Sequence, residues 1–85
     1  MYKMLEKLID KAKNAMKEAL VYAEKITDGR TMSEKTNILN ANYYMAQFHA
    51  YLELIEDIDL DTFVKLSEET MKDGDRVLER IGRLY

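Results

Sequence analysis

"NILNANYYMAQFHAYLELI", residues 37–55, decides the fold. Read at the helical repeat of about 100° per residue, Ile38, Ala41, Met45, Phe48, Leu52 and Ile55 recur at steps of three and four, with Tyr44 and Tyr51 flanking them. That spacing is the stripe a helix turns toward a core. A second apolar set, Leu39, Tyr43, Ala46, Ala50 and Leu54, gathers on another sector of the same helix. Polar strips divide the two sets, with Asn42, His49, Glu53 and Glu56 on one side and Asn40 and Gln47 on the other. A small helical domain has one interior, so the second set needs an explanation of its own.

Working outward, this helix is predicted over about residues 33–56. It opens at "TMSE", where Thr31 and Glu34 have capping-box spacing and Ser33 is an equally good single cap. The segment before it predicts a helix over about residues 2–27. Met1, Leu5, Leu8, Ala12, Ala15, Ala19, Tyr22 and Ile26 form its seam, widened by Ile9, Met16, Leu20 and Ala23. The middle of that seam is alanine, which lets a neighbouring helix come close. Lys3, Lys7, Lys11 and Lys17, interspersed with Glu6, Asp10 and Glu18, make a solvated outer face. Gly29 in "TDGRT" can adopt the left-handed conformation that ends many helices.

The last segment predicts a helix over about residues 60–84. With Asp59 as N-cap, Ile58 and Phe63 have the spacing of a hydrophobic staple. Its seam reads Leu60, Val64, Ser67, Met71, Gly74, Leu78, Ile81 and Tyr85, with Phe63, Val77 and Leu84 alongside. Because the apolar phase continues on both sides of Gly74, the helix is expected to run through it, at about 1 kcal/mol relative to alanine. Three long helices with short connections predict an all-α, up-down-up antiparallel bundle, a single domain over residues 1–85 that dimerisation would complete.

Composition agrees. Of 85 residues, 47% are hydrophobic and 34% charged, with no proline and three glycines. This is the makeup of a globular helical chain, and one of this size buries roughly 64% of its unfolded surface. The absence of cysteine excludes disulfides and thiolate metal sites. No stretch approaches the roughly 18 uninterrupted apolar residues of a membrane span, and the charged N-terminus does not read as a signal peptide. A cytoplasmic protein with no membrane association is expected. The net charge of −3 is uneven: residues 1–30 carry +2, residues 31–57 carry −3 and residues 58–85 carry −2. Direct nucleic-acid binding, which wants a dense cationic face, is therefore not expected.

Catalytic and metal patterns are incomplete. His49, Glu53 and Glu56 share one polar strip, but the residue three before His49 is Ala46, so the Glu-x-x-His of carboxylate-bridged iron bundles is missing. Glu53 and Glu56 give one half of a magnesium-dependent nucleotide-hydrolase pattern, whose other half fails at Lys72. No phosphate loop or nucleophile elbow occurs. Neither an enzyme nor a cofactor is expected. In "DIDLDTFVKLSE", Asp57, Asp59, Asp61, Val64 and Glu68 stand at positions 1, 3, 5, 8 and 12 of a pattern that resembles the calcium-binding EF-hand. The resemblance implies Asp57, Asp59, Asp61 and Glu68 as ligands, but position 6, normally glycine, is Thr62. The alternative is an acidic connection whose aspartates cap the third helix.

Two explanations of the second apolar face follow. Either the central helix is wrapped on both sides by its neighbours, or one face closes the core and the other meets another chain. We favour the second, because polar strips split the sectors and a contiguous apolar stripe on a small protein marks an interface. The expectation is a non-enzymatic interaction module, homodimeric and acting by stoichiometric binding to a protein partner, itself or another, through Leu39, Tyr43, Ala46, Ala50 and Leu54. The alternative is an acidic inhibitor of a nucleic-acid-binding protein, of the kind phage and mobile elements carry. It would present Glu53, Glu56, Asp57, Asp59 and Asp61 to a basic groove.

Overall fold

Side chains that cross between helices reveal how they run. The computed structural model describes residues 2–26 and 32–82 and contains three helices, α1 (Tyr2–Glu24), α2 (Met32–Ile58) and α3 (Leu60–Gly82). Tyr22 of α1 stacks on Tyr44 of α2, centroids 5.8 Å apart and planes 6° from parallel. Further along, the Lys11 ammonium stands 6.0 Å from the Tyr51 ring centre. Rising numbers on α1 meet falling numbers on α2, so the two are antiparallel. Between α1 and α3 the order is the same on both: Lys13 pairs with Glu69 at 3.7 Å and Glu24 with Arg76 at 3.4 Å. These helices are parallel, and the chain forms the expected up-down-up bundle. Both ion pairs are exposed and each contributes at most about 1 kcal/mol. What holds the bundle is burial.

The core of α1 and α2 is the one their spacing predicts. Leu5, Ala12, Ala15, Met16, Ala19 and Ala23 are buried on α1, with Ile26 just past its end, and Ala41, Met45, Phe48, Leu52 and Ile55 on α2. Small side chains on α1 admit the larger ones of α2, and this helix pair is the most extensive of the three. The end of α1 comes earlier than predicted, at Glu24. Lys25 N–H donates to Tyr22 C=O at 3.2 Å and Ile26 N–H to Ala23 C=O at 3.1 Å. These three-residue bonds tighten the last turn and carry Ile26 into the core. α2 starts at Met32, so Ser33 lies inside its first turn rather than capping it. The Gly29 stop and the Thr31 half of the capping box lie outside the described residues.

On α3 the predicted seam is out of phase over residues 60–78, although Ile81 and the flanking Val77 are buried as expected. Leu66, Thr70, Val77 and Ile81 are the buried residues, whereas Leu60, Val64, Met71 and Leu78 are exposed. Phe63, half-buried, packs against the core. Thr70 is why the true stripe was hard to see, since a polar residue stands at its centre. Its hydroxyl donates to the Leu66 carbonyl at 2.8 Å, so burial leaves no unsatisfied group. Tyr85 and Leu84 of the predicted seam lie outside the described residues. α3 is continuous through Gly74, as expected.

Candidate protein-binding surface

The core residues of α2 centre on one direction, and Leu39, Tyr43, Ala46, Ala50 and Leu54 centre roughly 180° away at about 100° per residue. α1 and α3 both pack on the core side, so the second set faces outward. Leu39 is 69% exposed, Tyr43 57% and Leu54 49%, and Ala46 and Ala50 are also exposed. The row extends to Met32, 78% exposed, at the N-terminal end of the helix. From Leu39 to Leu54 it is about 22 Å long at 1.5 Å per residue. Large apolar side chains stand at its two ends, and alanines leave the middle low.

Tyr43 is the anchor of the row, and its ring is held. The Tyr44 ring meets it edge-on, centroids 5.2 Å apart at 76°, and its hydroxyl accepts a hydrogen bond from Gln47 Nε2 at 2.8 Å. A large aromatic already fixed in place loses little freedom on binding. Tyr44, half-buried beside Tyr22, differs chemically. Burial lifts its phenol above the ordinary value of 10.0, and Tyr22, Glu18 and Tyr43 push it the same way.

The acidic group divides. Glu53, Glu56, Asp57 and Asp61 are exposed where α2 passes into α3, whereas Asp59 is half-buried. Asp59 is the N-cap of α3, its Oδ1 accepting from Asp61 N–H at 3.2 Å and its Oδ2 from the Thr62 hydroxyl at 2.9 Å. The calcium reading needs a twelve-residue loop over residues 57–68. The structure has none: Asp57 ends in α2, Asp59 is a one-residue link and Glu68 lies two turns into α3. Among the described residues no three histidine, aspartate or glutamate side chains converge on a point where a metal could sit. His49 is exposed, its ring set against Phe48 at 5.6 Å.

Sequence reasoning turned a second apolar row toward the core, and the structure turns it out. Leu60, Val64, Met71 and Leu78 run exposed along α3, and Met71 and Leu78 border a groove of about 220 Å³ between α2 and α3, floored by Met16, Phe48 and Leu52. The signal was present, since α3 carries two overlapping stripes, but spacing alone does not say which faces in. Among the described residues no helix is long and apolar enough to cross a membrane. No known family, curated protein or solved structure matches the chain.

Proposed function

We propose that the chain is a non-catalytic protein-binding module that acts as a homodimer and engages a protein partner stoichiometrically, with the outer face of α2 as its contact surface. The observation that carries this reading is the exposure of Leu39, Tyr43 and Leu54 in one row opposite the core of their own helix. Burying such a row stabilises a complex by about 25 cal/mol for each Å² of apolar surface removed from water. A photoreactive residue placed at Leu39 or Leu54 tests it in the native cell, with Lys7 and Asp73, both exposed on other helices, as control positions. Protein adducts are expected from the α2 positions and not from the controls. Equal labelling from all four would refute the reading.

A second reading rests on Glu53, Glu56, Asp57 and Asp61, which stay exposed together at one end of the bundle. As an inhibitor of a basic nucleic-acid-binding protein, the chain would lose its target at high salt. Glu56→Gln with Asp57→Asn would have the same effect. Asp59 is unsuited to this test because it caps α3. Capture that ignores salt counts against this alternative.

A further inference from the structure

Two pairs in the outer row of α2 are symmetric about one point. Leu39 and Leu54 lie equally far from the point between Ala46 and Gln47, and so do Tyr43 and Ala50. A two-fold axis through that midpoint, perpendicular to the helix, lays α2 antiparallel on a second copy of itself. Leu39 then faces Leu54 of the second copy, and Tyr43 faces Ala50. Leucine meets leucine at the ends, a large ring meets a small residue nearer the axis, and the same patch serves both chains, as a two-fold interface requires. We propose that α2 pairs with α2 of a second copy in this antiparallel register, each Tyr43 ring seated on the opposite Ala50. The proposal rests on the reading of this face as a protein-binding surface and names its occupant.

Charge selects the same direction. The first turn of α2 sets Lys35 beside Glu34 and is close to neutral, while Glu53, Glu56 and Asp57 make its last turns acidic. Parallel pairing would bring the two carboxylate groups together. Antiparallel pairing separates them, places Lys35 within one residue of a position opposite Asp57, and sets each helix N-terminus beside the neighbour's C-terminus. A strip about 22 Å long and one helix, roughly 10 Å, wide covers about 220 Å², well below the roughly 800 Å² per partner of a standard interface. Assembly is therefore expected at micromolar rather than nanomolar concentration.

Sedimentation of the intact chain from about 1 µM to about 1 mM, the range a small interface requires, reads the equilibrium. Tyr43→Glu and Ala50→Lys are each expected to weaken dimerisation at least about tenfold. Combined in one chain they are expected to restore most of it, since both contacts between positions 43 and 50 of opposite copies then join opposite charges. On one helix these positions are about 10 Å apart, too far to pair with each other. Both are exposed, and an unchanged thermal midpoint of each variant verifies folding. A strictly monomeric chain overturns the pairing, as does a dimer indifferent to the single changes or one that the double change fails to restore. Adducts from Leu39 and Leu54 with another protein, found alongside a monomeric chain, would end the self-pairing and leave the binding reading standing.

Discussion

Gly74 offers a sharp test of the packing between helices. It sits inside an unbroken α3, half-buried, facing Met16 of α1. A methyl group built there would meet the Met16 Cε at 3.5 Å and no other neighbouring heavy atom within 4 Å. That is ordinary contact with the movable end of a flexible side chain, so Gly74→Ala fits without displacing backbone. The gain has two parts. Alanine restricts the unfolded chain and favours the helix by about 0.8–1.0 kcal/mol over glycine. Partial burial of one methyl in the groove adds a few tenths, less than the roughly 0.8 kcal/mol of a fully buried methylene. A total of about 1 kcal/mol raises the thermal midpoint of a chain this size by roughly 4–8 °C. Thermal and urea unfolding followed by circular dichroism measure it. Gly82→Ala, at the last residue of α3 with open space around it, is the control and should change little. An unchanged or lowered midpoint for Gly74→Ala would refute the reasoning, showing either a non-helical glycine or a tighter approach of α1.

The phase of α3 is checked by a pair of truncations: Leu66→Ala, which removes a buried side chain, should destabilise by about 2–5 kcal/mol, and Leu78→Ala, on the exposed row, by no more than about 0.5 kcal/mol. Comparable losses in urea titrations would mean that the helix is rotated. Asp59→Ala removes the cap of α3 and should lower stability by about 0.5–2 kcal/mol, with Asp59→Asn retaining most of it; equal stability of all three proteins would deny the cap. Tyr44 holds its proton more tightly in the folded state, so its contribution is complete below the unfolded value of 10.0 and disappears as pH rises through the higher folded one. Melting curves of the parent should therefore fall more steeply above pH 10 than those of Tyr44→Phe, and parallel curves would remove that linkage.

Much of the fold was legible because it is local. Helix α1 carries a single seam of apolar residues and α2 a longer, bulkier one opposite its second set, and alanine against larger side chains fixes which faces meet. The two-sidedness of α2 was also legible, since Asn42, His49 and Glu53 interrupt the apolar surface on one flank and Asn40 and Gln47 on the other. Asp59 was identified as a cap because a short acidic side chain before an apolar run satisfies backbone donors that a new helix leaves open. The calcium-like spacing at the same place has no loop beneath it. Spacing along a chain counts residues, whereas a coordinating loop needs backbone that turns, and residues 57–68 lie almost wholly in helix.

The sequence by itself determined three helices, their order, the inner faces of two of them and the presence of a second apolar face on α2. Only the tertiary structure decided the rotation of α3. Two overlapping stripes on that helix are nearly equal in apolar content, and the one with Leu66 and Thr70 faces inward. With a single residue between α2 and α3, the turn at Asp59 constrains the angle at which α3 leaves, and the angle selects the stripe. A threonine whose hydroxyl bonds back to its own helix can then be buried, while Leu60, Met71 and Leu78 are left in water. Periodicity measures how apolar residues recur around a helix axis, but which way that axis is turned depends on neighbours that periodicity does not contain.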